Sequence, residues 1–255
     1  MTDIEPRTRT ENLRTWKRER RYYRLVLCLA LDTSTPGGSC AVTRDGAVIR
    51  ESVGDRECPH DSRLPGDLIA LLEGARIALA DIELYAVATG PGSFTGLRIG
   101  IATMQGLAFA AGKPLIGVSG FDALAQIASR NAFRQTRAVA TWVDAWRGDV
   151  FAARYQHDVQ IEPPTVEKPA AVLARVTEPT LFIGDAVPVY ADLIRRTLGG
   201  LALLEEPPAP ALAATIAHLA TDTARTGARP DPDDIRPLYI RRPDAELARD
   251  ARPVR

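Results

Sequence analysis

The chain has 255 residues, 45% of them apolar, which suffices for one large or two modest domains with a sizeable core. Lysine plus arginine and aspartate plus glutamate number 32 each, so the formal net charge is zero. That balance excludes a protein that grips nucleic acid through its overall field and leaves room only for a local patch. The three cysteines, Cys28, Cys40 and Cys58, have no zinc-type spacing, and neither a secretory signal nor a long apolar run is present, so the expected setting is the reducing cytoplasm without a membrane attachment.

Residues 1–24 carry Arg7, Arg9, Arg14, Arg18, Arg20, Arg21 and Arg24 mixed with acids, and are expected to be a disordered basic extension. The apolar run Leu25 to Leu31 reads as a buried strand. Asp32-Thr33-Ser34-Thr35-Pro36-Gly37-Gly38 turns the chain, Ser39 to Arg44 returns it, and Asp45-Gly46 makes a hairpin into Ala47 to Val53. A helix is predicted over Asp61 to Ala80, with Leu64, Leu68, Leu71, Leu72, Ala75 and Leu79 at helical spacing and Pro65 tolerable in the first turn.

The next stretch joins strand, glycine turn and helix without a break. Leu84 to Thr89 is the strand, Gly90-Pro91-Gly92 ends it, and Ser93 and Thr95 both offer an oxygen to the free amides of the helix that follows. Gly96 and Gly100 let another backbone approach its first turns, and Gly112 stops it. Only Arg98 and Gln105 along it are strongly polar, so more than one side needs covering. Leu97, Ile101, Met104, Ala108 and Ala111 follow helical spacing on one face; Gly96, Gly100, Thr103, Leu107 and Ala110 follow it on another. One face belongs on a sheet. The other is either core or a contact for a second chain, and spacing alone does not say which face is which.

A short strand at Leu115 to Val118 and a helix around Phe121 to Arg130 follow, and then an earlier pattern returns. Ala138 to Val143 is an apolar strand ending in Asp144, followed by a turn and a returning strand at Asp149 to Tyr155, the same order as Leu25 to Arg44. This repeat predicts a duplicated α/β fold of the actin, Hsp70 and sugar-kinase type. Pro163, Pro164 and Pro169 read as a loop, Leu181 to Gly184 as a strand, Glu205 to Pro210 as a surface linker, and Ala211 to Thr226 as a helix. The expected organisation is an extension at 1–24, one half at 25–132, a second at 133–228, and a tail at 229–255, partly packed on the first half and mobile after Ala245.

The segment G-P-G-S-F-T-G-L-R-I-G, spanning Gly90, Pro91, Gly92, Ser93, Phe94, Thr95, Gly96, Leu97, Arg98, Ile99 and Gly100, resembles the signature of the TsaB (YeaZ) family. The resemblance extends to L-A-L-D-T-S-T from Leu29, V-D-A-W-R-G-D-V-F-A-A-R-Y from Val143 and P-L-Y-I-R-R-P-D-A from Pro237. It implies the same actin-like fold and a non-catalytic role in forming threonylcarbamoyladenosine on tRNA. The implied partners are a TsaD-like transferase, which the protein activates, a TsaE-like ATPase and a second copy of the protein when it is alone. tRNA is then met through the complex, and an adenine nucleotide can lie at the complex interface.

Active members of the fold hold nucleotide phosphates in the turns after the first strand of each half. Asp32, Thr33 and Thr35 suit such a turn, whereas Trp146 and Arg147 are too bulky for a backbone cradle in the second. A nucleotide-dependent phosphotransferase is therefore the rival to the scaffold. The resemblance implies that TsaD carries a His-x-x-x-His metal pair, but here His60 is followed four residues later by Leu64. Ser93 has no evident base or orienting acid, which disfavours a hydrolase. No cofactor or metal of the chain's own is expected. Leu64, Leu68, Leu71 and Leu72 of the first helix and Gly100, Ile101, Met104, Leu107 and Ala108 of the glycine-loop helix are the expected partner surface.

Overall fold

The structure is a computed structural model that describes residues 26–130, 138–228 and 232–241; the basic extension and the end of the tail lie outside the described residues. The first apolar run forms β1 (Leu27–Asp32), which pairs antiparallel with β2 (Ser39–Arg44), itself antiparallel to β3 (Ala47–Val53). Asp45 and Gly46 connect the last two with φ of 52° and 81°, the left-handed pair that a tight hairpin requires. β4 (Leu84–Gly90) and β5 (Leu115–Ser119) add parallel to β1, giving the order β3-β2-β1-β4-β5.

A second sheet is built from β6 (Ala138–Asp144), β7 (Val150–Gln156), β8 (Val159–Glu167), β9 (Thr180–Ile183) and β10 (Ala202–Leu204), in the order β10-β9-β6-β7-β8. Strand for strand this is the first sheet again, with β6 in the place of β1. The fold is the duplicated actin-like α/β architecture that the repeat predicts.

Among the described residues, six helices pack the sheets. α1 (His60–Ala75) and α2 (Phe94–Ala111) cover the outer face of the first sheet, burying Leu64, Leu68, Leu71, Ile101, Met104 and Ala108 against Leu29, Leu31, Val42, Tyr85 and Val87. α4 (Pro169–Leu173) and α5 (Ala186–Leu198) cover the outer face of the second around Trp142 and Phe182. Between the two sheets lie α3 (Gly120–Arg130) and α6 (Ala213–Arg225), whose Phe121, Leu124, Ile216 and Ala220 share one core with Ala30, Ala86, Val143 and Ile183. α6 follows the second sheet in sequence yet packs on β1, β2 and β4 of the first. None of the helices among the described residues is long and apolar enough to cross a membrane.

Several expectations are corrected. α1 ends at Ala75, not Ala80, with Arg76 in the left-handed conformation at φ 56° and Leu79 41% exposed in a separate turn. Pro65 lies beyond the first turn of α1, where its ring faces solvent. The prolines at 163 and 164 do not make a loop. They lie in β8, an edge strand, at a bulge in its pairing with β7, where the register shifts between Ala152↔Thr165 and Arg154↔Glu162 and neither proline has a ladder partner. Glu205 is 5% exposed and is not part of a surface linker, because its amide bonds the Phe182 carbonyl and draws the segment onto β9.

Candidate functional site

The turn after β1 and the glycine loop after β4 are adjacent because β1 and β4 are parallel neighbours. Ser93 donates its amide to the Ser34 carbonyl at 2.7 Å, and a Cβ on Gly92, whose φ is 155°, would lie 2.4 Å from that same oxygen. At Gly96 a Cβ would stand 2.2 Å from the Thr33 carbonyl oxygen, and at Gly100 2.1 Å from Thr33 Oγ1. The glycines of the signature are thus the seat of the 33–34 backbone. They do not form a cradle for an anion. The Ser93 hydroxyl accepts from the Gly96 amide at 3.2 Å and caps α2, a structural task that explains the serine without a nucleophile. Thr95, expected to share that task, is exposed and does not cap. Gly90 and Pro91 are buried, joined by a cis peptide bond.

The three residues expected to hold phosphate separate. Asp32 is 2% exposed, accepts the Ser34 amide at 2.8 Å, and has its carboxyl pushed above the usual aspartate range by burial. Thr35 accepts the Gly38 amide at 3.2 Å. Thr33 turns the other way, packing onto Gly100 with its hydroxyl unpartnered. Asp32, Ser34 and Thr35 line a cavity of about 140 Å³ between the halves, together with Arg56 and Asp185. That is less than the roughly 300 Å³ at which small-molecule sites begin. Asp185 accepts the Asp144 amide at 2.9 Å, and burial, then the nearby Asp144 and Asp32 carboxylates, raise its carboxyl.

The second turn is closed on itself. Trp146, Arg147 and Gly148 take φ of 56°, 57° and 76°. The Trp146 amide bonds Asp144 Oδ1, Ala145 donates to the Asp149 carbonyl and Asp149 to the Trp146 carbonyl, so these amides are already bonded within the chain. His60 is the first residue of α1 and is nearly buried; its Nε2 bonds the Thr35 carbonyl at 2.9 Å, and its Nδ1 faces the Arg63 guanidinium at 3.0 Å. Arg63 also donates to Pro36 and Gly37 carbonyls and pairs with Asp67. His60 is a tie between the first turn and α1.

The expected partner surface is corrected most. Leu64, Leu68, Leu71, Leu72, Gly100, Ile101, Met104 and Ala108 are buried within the chain, and Leu107 is half-buried. Spacing placed Gly96 and Gly100 on a face apart from Leu97 and Met104, but the first turns of both faces are buried here, because Thr33 fills the glycine side, and only Ala110 and Ala111 at the far end are exposed. What the helix pair presents to solvent includes an apolar set, Pro65, Gly66, Ile69 and Ala70 of α1 and Ala102, Gly106, Phe109 and Ala110 of α2, with Asp61, Ser62 and Glu73 of α1 and Thr95 and Arg98 of α2 also exposed. Ile69 is 56% and Phe109 82% exposed, and a Cβ on either Gly66 or Gly106 would meet nothing within 4 Å. Phe109 is the residue the sequence reading missed; it lies on neither of the two faces traced.

The family model described as TsaD, tRNA N6-adenosine threonylcarbamoyltransferase, matches residues 57–248. The chain is 30% identical over 178 residues to the tRNA threonylcarbamoyladenosine biosynthesis protein TsaB of Bacillus subtilis, covering 67% of this chain and 76% of that one. An uncharacterized protein of Mycobacterium leprae is 31% identical over 90% of this chain, which spans 59% of that relative's length. The solved structure of YeaZ from Pseudomonas aeruginosa superposes with a TM-score of 0.66 at 29% identity, covering 84% of this chain and all of that one. On its signature loop, its duplicated sheets and these matches, the chain belongs to the TsaB (YeaZ) family, within the wider group that the TsaD family model describes.

Proposed function

We propose that the protein serves the formation of threonylcarbamoyladenosine on tRNA as a non-catalytic partner that binds and activates a TsaD-like transferase through the outward face of α1 and α2. The observation that carries this is that face itself. Pro65, Gly66, Ile69 and Ala70 of α1 and Ala102, Gly106, Phe109 and Ala110 of α2 are exposed apolar or small residues on neighbouring helices, and Phe109 is 82% exposed. Small residues allow a second helix pair to come close, and an exposed aromatic ringed by them suits an anchor. The narrow cleft at the first turn and the self-bonded second turn disfavour a phosphate clamp in this chain, in keeping with a non-catalytic role. On this reading an adenine nucleotide and a TsaE-like ATPase belong to the assembled complex, and the free chain pairs with its own copy through the same face.

The test is Phe109→Asp, which leaves the core untouched because the ring is on the surface. A carboxylate forced into an apolar contact without a partner costs about 3–5 kcal/mol, a hundredfold or greater loss of affinity. The variant should melt like the wild type, run as a monomer on size exclusion and fail to capture the purified transferase. A well-folded Phe109→Asp protein that still captures and activates the transferase would refute this surface.

A further inference from the structure

Two segments of the signature have a use that the fold does not absorb. At the start of α2, the Arg98 guanidinium lies 3.7 Å over the centre of the Phe94 ring, and its Nε donates to the Tyr239 hydroxyl at 3.1 Å. The Phe94 and Tyr239 rings are 5.3 Å apart. All three side chains are at the surface, Phe94 38% and Tyr239 43% exposed. Arg98 bonds a hydroxyl here and not a carboxylate, so its charge is not cancelled by that contact. Two residues after Tyr239, at most about 7 Å of chain, Arg241 donates to the Ala145 carbonyl at 2.8 Å and pairs with Asp149. The next residue after Ala145 is Trp146, 48% exposed on a turn whose left-handed backbone props it outward, followed by the exposed Arg147.

We propose that Phe94, Arg98, Tyr239 and Trp146 form a stacking platform for the unpaired bases of single-stranded RNA. A guanidinium set over a ring, with a second ring beside it, offers the cationic, π-rich face on which an unstacked base settles, and an exposed tryptophan offers another. The zero net charge of the chain is compatible with this, since stacking on a few aromatics needs only local positive charge. The strap from Tyr239 to Arg241 links the two stacking groups across the halves and fixes their separation. Trp146 pays for a left-handed backbone that glycine or asparagine would take more readily. The choice of RNA rests on the proposed role in tRNA modification; the aromatic and arginine geometry does not.

The experiment titrates the full chain into a fluorescein-labelled single-stranded oligouridylate of twelve nucleotides at low salt and follows anisotropy, with a fully paired RNA duplex of the same length as competitor. Arg98→Gln removes the charge and stacking plane; Trp146→Asn removes the second platform with a residue that tolerates its backbone. Each is expected to weaken single-strand binding roughly five- to hundredfold, with the duplex competing poorly and melting and transferase capture unchanged. Wild-type protein that does not bind the single strand, or variants that bind it as well as wild type, would overturn the proposal. So would variants that lose transferase capture and keep RNA, since the platform is then a protein contact. Should Arg98→Gln unfold, Trp146→Asn in the other half decides alone. Wild-type protein that binds RNA but captures no transferase sinks the earlier reading and leaves this one standing.

Discussion

Three glycines of α2 allow a graded test of how the signature loop works. Gly106 faces open space, so Gly106→Ala should gain the helix preference of alanine, about 0.5–1 kcal/mol. At Gly100 the new methyl would meet Thr33 Oγ1 at 2.1 Å, with Thr33 itself 1% exposed. Overpacking of that kind costs about 1–3 kcal/mol, which the helix gain partly offsets, leaving a net loss of about 0–2 kcal/mol. Gly96 is different, because the atom 2.2 Å away is the Thr33 carbonyl oxygen, which cannot rotate aside. Gly96→Ala should therefore be the worst of the three, with a loss of about 3 kcal/mol or more. Urea unfolding gives the order directly, and in a chain of this size each kcal/mol moves the melting point by about 2–4 °C. Thr33→Ala sharpens the argument. It should rescue Gly100→Ala with a coupling of about 1 kcal/mol or more and leave Gly96→Ala unrescued. If Gly96→Ala proves as stable as Gly106→Ala, α2 does not seat on the first turn, and the account of the signature glycines fails.

Two further outcomes follow from buried groups. Burial raises the folded-state carboxyl of Asp32 above its unfolded value near 3.8, so its contribution to stability is fully present below that value and is lost as pH rises through the raised one. Asp32→Asn, which can still accept the Ser34 amide, should then gain on the wild type in urea unfolding as pH rises from the unfolded aspartate value near 3.8 through the raised one; a difference that stays constant as pH rises would contradict the assignment. Among the thiols, Cys28 and Cys40 are buried and their thiols are pushed up by burial, whereas Cys58 is partly exposed. Reaction with an aromatic disulfide reagent in native buffer should show one fast thiol, abolished by Cys58→Ser, and two that react only on unfolding.

Much of the fold is legible in the sequence where one local signal coincides with one structural need. β2 and β3 begin and end where the glycine turn after β1 and the Asp45-Gly46 hairpin say they should, and α2 stops at Gly112 because only a left-handed residue closes it. The misses share a cause in tertiary context. β8 contains two prolines that deny a strand unless it is known to be an edge, and β10, three residues long, carries no signal strong enough to declare it. α1 ends on an arginine in a conformation usually left to glycine, so no stop is visible. The partner surface is hidden for a deeper reason. Every face of α2 is apolar, and what decides which is open is the position of Thr33, about 60 residues earlier in the chain, against Gly96 and Gly100. Periodicity has no access to that.

The placement of α6 bears on how the chain is made. The inner face of the first sheet, with Cys28, Ala30, Ala41, Leu84 and Ala86, is sealed by Ile216, Ala217 and Ala220. During synthesis those strands emerge long before the helix that covers them, and at roughly 5–20 residues per second the apolar face waits several seconds for its lid. Contacts between β1 and α6 also span most of the chain, a separation that slows folding. The amino-terminal half expressed alone thus has a sheet with one wet apolar face and should be caught by chaperones or aggregate, and the last native event is the docking of a helix from the far end of the chain onto the first strand made.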